Sequence, residues 1–250
     1  MDGTQHDDCC NLTVTGRPVR IPSVRSIDPR RFTTCYLCRE PIKAEPSRDH
    51  VPPKQFFPKV FRKANTTDQL EWLPTHRHCN KSYQRDEEYF VTTFGLPAAA
   101  HTATGHALGH DIRDRYRGGS QQGLVNKVLS EFIPDSNQKG FDSGRTNRVA
   151  WKIVRGLHCL RTGELLPERA HVTGAFDCAK TQRLVRDLDA AMLANGFNDP
   201  WEGTLPNIFK TKIMVDEHPH LQTYSYVLVC WDYVTYFLSF NMKDGQLQES

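Results

Sequence analysis

Apolar positions recur at helical spacing in three stretches of the second half of the chain. Leu124, Val128 and Phe132 form one stripe, Ala150, Ile153, Val154, Leu157 and Leu160 a second, and Leu184, Leu188 and Met192 a third. Each predicts an amphipathic helix, and Asn195-Gly196 supplies a C-cap for the last. Tyr224 to Phe240 is instead dense in aromatic and β-branched residues, which predicts buried strands. It is short for a membrane span and carries Asp232 in its middle. Nearer the N-terminus, Arg48 to Pro52 suits a strand that runs into a Pro-Pro turn, and Leu70 to Leu73 a second short strand. Asn80 to Phe94 suits a helix with acids in its middle. Gly95 to Gly119 is rich in Gly, Ala and His with weak periodicity, and residues 1 to 31 carry Arg-Pro, Ile-Pro and Asp-Pro steps that oppose regular structure. The pattern predicts an α+β chain in three parts: an irregular basic arm (1–31), a small module (32–95) and an α+β C-terminal domain with aromatic strands (96–250).

Composition changes this picture little. The chain's 250 residues can bury a substantial core, and 38% hydrophobic with 24% charged residues is ordinary for a globular protein. A formal charge of +3 permits a nucleic-acid partner without requiring one. The leader gathers Arg17, Arg20, Arg25, Arg30 and Arg31. These suit either an arm lying along phosphates or a groove, or a loose leader wrapped on its own domain. Met1 to Leu12 has acids and no apolar run, unlike a secretory signal. With no membrane segment and with cysteines in metal-binding spacing, a reducing, cytoplasmic setting is expected.

The chemistry concentrates in the small module. Cys35-x-x-Cys38 and His76-x-x-Cys79 each present two ligands one turn apart, about forty residues from each other. Together they make a closed Cys-Cys-His-Cys tetrahedron, the arrangement of a structural rather than a catalytic zinc. His78 is a rival ligand, though its adjacency to Cys79 fits poorly. Between the pairs stands Asp49-His50, followed by Val51-Pro52-Pro53, and Asn80 directly follows the last ligand. A neutral imidazole can take a proton from water near pH 7. A carboxylate and an amide oxygen can hold a divalent cation that stabilises a leaving oxygen. Side chains alternate across a strand, so Asp49 and His50 can serve one centre only where the strand ends.

These motifs resemble the HNH endonuclease family, which has the ββα-metal fold. The longer strings Asp49-His50-Val51-Pro52-Pro53-Lys54-Gln55-Phe56-Phe57-Pro58 and Asp86-Glu87-Glu88-Tyr89-Phe90 resemble a zinc-knuckle bacterial subgroup of it. The resemblance covers residues 33 to 92. It implies His50 as general base, Asp49 and Asn80 as ligands of a catalytic Mg²⁺ or Mn²⁺, and a structural Zn²⁺ on Cys35, Cys38, His76 and Cys79. Two departures stand out. His76 replaces the more usual Cys, and the family's middle Asn has no clean counterpart, Asn65 and Asp68 being the nearest candidates. The implied activity is hydrolysis of DNA phosphodiesters, in restriction, phage defence or mobile-element biology. A homodimer is permitted and a membrane partner is not expected.

Cations for a nucleic acid are available on both sides of the centre. Lys54, Lys59, Arg62 and Lys63 follow the base, and Arg77, Lys81 and Arg85 flank Asn80. Such residues position phosphates and carry no sequence information. Arg145, Arg148, Lys152 and Arg155 recur at helical spacing, as either a basic binding face or a solvated one. Phe56 and Phe57 suit the core better than a stacking platform. His106 and His110, four apart but without a Glu between them, suit solvated histidines. Two rivals keep the same residues: a non-catalytic zinc-finger nucleic-acid-binding module, and an HNH nuclease acting on RNA.

Overall fold

The Arg48–Pro52 segment folds as strand β2 (Ser47–His50), antiparallel to β3 (Trp72–Thr75), with Asp49 opposite Leu73 and His50 opposite Trp72. The computed structural model of the chain describes residues 18–19, 27–63, 70–119, 122–131, 140–166, 173–175, 178–194, 200–203, 205–218, 221–243 and 246–248. The β2–β3 pair is a separate two-stranded sheet, so each strand keeps a free edge and Pro74 is tolerated within β3. After β2, a 3-10 turn at Lys54–Phe56 and a short helix α1 (Lys59–Lys63) carry the chain away.

Helix α2 starts one residue after the cap His76 and runs from Arg77 to His101, seven residues beyond the predicted end. It passes through Pro97, which has no N–H for the helical ladder. Close packing against helix α3 (Ala103–Arg117) offsets that cost. A side chain at Gly105 would lie 2.3 Å from the Ala98 carbonyl oxygen, and one at Gly109 would lie 2.6 Å from the Ala99 methyl. The small residues that blurred the periodicity of 95–119 are thus the contact surface itself. Thr102 separates the two helices and caps the second, its hydroxyl accepting from the Gly105 N–H at 3.0 Å.

Helix α4 (Gln122–Ser130) packs on α2 and α3, and α5 (Ser143–Thr162) forms the centre of the molecule. Asp142 caps the start of α5, and Gly163, at φ +81°, ends it. Residues 149–160 of α5 are buried without interruption, covered by the hairpin, by α2 and by the C-terminal sheet. That sheet is antiparallel in the order β1 (Pro18–Val19), β5 (Phe209–His218), β6 (Leu221–Cys230), β7 (Val234–Lys243) and β4 (Thr173–Ala175). A short β8 (Gln246–Gln248) also pairs with β7, and α6 (Cys178–Ala194) precedes β5. The aromatic run read as strands occupies β6 and β7.

One apolar cluster extends from Cys35 to Met242 and joins the hairpin region to the sheet. Its junction is Trp231, fully buried in the β6–β7 turn, whose Nε1–H donates to the Phe56 carbonyl at 2.9 Å. Trp231 and Asp232 have φ of +55° and +50°, a left-handed backbone that Asp tolerates and a bulky Trp rarely adopts. Burying the indole against Phe56 and Phe90 compensates for it. Phe56 and Phe57 are therefore core residues. Of the predicted basic arm, Pro18–Val19 is the edge strand against β5, and Arg30 and Arg31 lie in a 3-10 turn capped by Asp28. Arg17, Arg20 and Arg25, like Asn65 and Asp68, lie outside the described residues.

Candidate metal centre and active site

One local turn and one helix start bring four ligands together. The hairpin-like turn at 35–38 presents Cys35 and Cys38, and the first turn of α2 with its cap presents Cys79 and His76. Their ligand atoms all lie within 4.8 Å of one another, with His76 Nδ1 3.3 Å from Cys38 Sγ and 3.9 Å from Cys79 Sγ. A tetrahedral ion with metal–ligand bonds of about 2.0–2.3 Å requires such spacings. His76 Nε2 lies 3.2 Å from the Pro41 carbonyl and donates to it, which leaves Nδ1 with its lone pair free for a metal. Burial and crowding by Cys38 and Cys35 push the Cys79 thiol up to about 12. A bound cation would reverse that and let the thiols ionise. The four residues can hold a metal ion such as zinc. His78 stays out of the cluster and stacks on His76, ring centroids 5.2 Å apart.

This cluster ties the two segments together, and side chains around it extend the tie. Asn80, in the first turn of α2, donates through Nδ2 to Ser47 Oγ at 3.1 Å and to the Arg48 carbonyl at 3.3 Å, so the helix start is fixed to β2. Tyr36, inside the Cys-x-x-Cys turn, donates to Asp49 Oδ2 at 2.8 Å. Arg155 of α5 is buried and donates to the Tyr36 and Leu37 carbonyls at 2.6 and 2.7 Å, holding that turn from behind.

The pleat of β2 then divides the predicted residues. Asp49 and Ser47 face α2 and Asn80, whereas His50, Arg48 and Trp72 share the outer face. Asp49 is 3% exposed, and both its oxygens are occupied: Oδ2 by Tyr36, Oδ1 by the Lys152 ammonium at 2.8 Å. Lys152, itself buried, also contacts Glu87 of α2, whose second oxygen accepts from Gln55 Nε2 at 2.9 Å. Burial alone would lower the Lys152 pKa, but Asp49 and Glu87 together outweigh it and the net direction is up. Burial raises the Glu87 pKa, and Asp49 adds to the rise despite the lysine. A divalent ion ligated by Asp49 needs an open oxygen and room for water, and this arrangement has neither. The residues present do not fit a Mg²⁺ or Mn²⁺ ion on Asp49.

His50 is half-buried at the last position of β2. Its pKa is lowered by burial first, then by Lys54, with Arg48 and Lys152 acting in the same direction and Asp49 opposing. It is therefore a neutral imidazole at pH 7, with cations near it. The Arg48 guanidinium lies over the Trp72 ring, 4.8 Å from its centroid, and Lys54 is exposed in the following turn. Arg77, Lys81 and Arg85 form one exposed stripe along α2. Lys59 is exposed, its backbone N–H bonded to Asp111, and Arg62 lies 3.8 Å from the same carboxylate.

The cations of α5 take a role that sequence reasoning missed. Arg145 and Arg148 both pair with Asp86 and lie over the rings of Tyr89 and Tyr83, at 4.3 and 3.8 Å. With Lys152 and Arg155, which are buried, they form a strip that docks α5 on α2 and the hairpin, Arg145 and Arg148 remaining partly exposed at its edge. Glu87 was within reach of sequence reasoning, since it follows Cys79 and Tyr83 at intervals of four on one helix face. Lys152 was legible only as one of the helix-spaced cations, and its pairing with the carboxylates of Asp49 and Glu87 was not. His106 and His110 are exposed with rings 4.7 Å apart, and among the described residues the Cys/His cluster is the one group placed to hold a metal. No helix among the described residues is long and apolar enough to cross a membrane. Comparison with protein-family models, with curated proteins and with solved structures gives no match.

Proposed function

We propose that this chain is an HNH-type endonuclease that hydrolyses phosphodiester bonds of DNA, with a structural zinc on Cys35, Cys38, His76 and Cys79. The observation that carries the reading is the four-ligand cluster, which binds the helix start with Asn80 to the region of the strand that ends in Asp49-His50. In this reading the neutral His50 takes a proton from water, the resulting hydroxide attacks phosphorus, and the bond to the 3′-oxygen breaks, the departing alkoxide taking a proton from solvent. The negative charge that develops on the phosphorane faces Arg48 and Lys54, which share the His50 environment. Arg77, Lys81 and Arg85 extend a basic track for the phosphate backbone. DNA rather than RNA follows from the family resemblance.

The test is nicking of supercoiled plasmid by zinc-loaded protein, with and without Mg²⁺ or Mn²⁺. Replacing His50 by Ala removes at least about 100-fold of the rate, the usual contribution of a positioned base, while zinc content stays the same. Wild-type protein as inert as His50→Ala under every metal condition would overturn the reading. One observation favours a second reading, a non-catalytic zinc-stapled nucleic-acid-binding module: the ion pair that encloses Asp49. That module binds DNA with a salt-dependent affinity that His50→Ala leaves unchanged, and cuts nothing.

A further inference from the structure

We infer that Lys152 is the permanent counter-ion of Asp49, so that this carboxylate is a positioning group that ties α5 to the hairpin and does not hold a divalent cation. Lys152 Nζ lies 2.8 Å from Asp49 Oδ1 and also contacts Glu87 Oε1, while the Tyr36 hydroxyl closes Asp49 Oδ2 at 2.8 Å. All three charged side chains are buried, with Lys152 at 1% exposure. The ammonium therefore occupies the place where a metal bound to this carboxylate would stand. It has no way out to water, since α5 is buried on both sides of it. It is also held over the Tyr83 ring, 5.2 Å from the centroid.

A divalent ion entering here would have to displace an ammonium already satisfied by two carboxylates, and bring its own waters into a dry site. Asn80 does not offset this: its Nδ2 donates to Ser47 Oγ and the Arg48 carbonyl, which holds the residue on the strand, and it adds a single neutral oxygen in place of a carboxylate. Asp49 thus transmits position: Tyr36 links it to the Cys-x-x-Cys turn, Lys152 to α5, and its backbone to His50. Under the endonuclease reading, on which this consequence rests, cleavage proceeds equally well with and without added Mg²⁺, charge on the phosphate being met by Arg48 and Lys54.

Cation occupancy is tested on the zinc-loaded full chain without any cleavage assay, so it succeeds or fails independently of that reading. Mn²⁺ is titrated and the free ion followed by electron paramagnetic resonance, and Tb³⁺ emission is excited through the tyrosines that surround Asp49. Wild type and Asp49→Asn are expected to bind Mn²⁺ alike and to show equal Tb³⁺ emission. Lys152→Met, which leaves Asp49 and Glu87 without their ammonium, is expected to bind Mn²⁺ at least about tenfold more tightly than wild type. One Mn²⁺ per chain in wild type that Asp49→Asn abolishes, with zinc unchanged, overturns the inference. A folded Lys152→Met that binds no more tightly than wild type also overturns it. Should that variant fail to fold, the comparison of wild type with Asp49→Asn decides alone.

Discussion

Lys152→Met is the perturbation that weighs the buried ion cluster most directly. Methionine keeps the length and apolar stem of the lysine, so packing in α5 is nearly conserved and the change is one of charge. What remains is Asp49 and Glu87, 3% and 7% exposed, facing a position that no longer carries a cation. Removing one partner of a buried pair costs about 3–5 kcal/mol, because the other charge stays desolvated. For a chain of this length that is a fall in Tm of roughly 6–20 °C, from about 2–4 °C per kcal/mol. The pH dependence separates charge from packing. The Glu87 pKa is already raised in the wild-type fold, chiefly by burial, and the lysine counteracts that rise. Without the lysine the pKa climbs further, and a carboxyl whose folded pKa exceeds its unfolded value makes the native state bind more protons. Stability then falls as pH rises through that window and is recovered as pH falls back through it. Urea unfolding of zinc-loaded protein at pH 7.5 and pH 5 measures both quantities. A loss under about 1 kcal/mol, or one equal at the two pH values, would refute the argument that Lys152 neutralises buried carboxylates.

Three further outcomes are expected. Purified protein carries one zinc per chain by metal analysis; Cys79→Ser lowers that content and the unfolding midpoint together, as does a strong chelator, because metal binding and folding are coupled. His158, fully buried beneath Tyr224, Tyr226 and Phe240, has its pKa lowered from 6.5 to about 4 by burial, which outweighs the half-exposed, water-screened Glu164 carboxylate 3.6 Å away. The unfolded chain then binds the extra proton, so stability is lost as pH falls from 6.5 toward 4, by up to about 3 kcal/mol. Urea unfolding of wild type and His158→Gln at pH 7 and pH 4.5 checks this, the variant lacking that slope. Because burial and Lys54 lower the His50 pKa, a cleavage rate limited by this base rises with pH below 6.5 and is flat between pH 7 and 8. A pH–rate profile with its inflection above pH 7 would exclude His50 as the base.

Much of the hairpin module was legible without a structure, and the reason is locality. A Cys-x-x-Cys turn and a His-x-x-Cys helix start each place two ligands by backbone geometry within four residues, so spacing alone identifies them. Pro52 and Pro53 likewise mark the end of β2, since neither can donate to a ladder. The apolar stripe Ala150 to Leu160 identified α5 as a helix for the same kind of reason, but not that the face opposite the stripe is buried as well. The extent of α2 was less legible, because Gly95 and Pro97 are helix breakers by propensity and only the close approach of α3 makes them acceptable.

The order of residues along the chain decided the composition of the metal cluster and the placement of His50 at a strand end, because both depend on short-range backbone geometry. Tertiary structure alone decided which side chain neutralises Asp49, since its partner Lys152 lies 103 residues further along. Periodicity says which residues share a helix face but is silent about what covers that face. Cations look the same in sequence whether water or a buried carboxylate balances them, so the basic strip of α5 became an internal docking surface only when α2 and the hairpin closed over it.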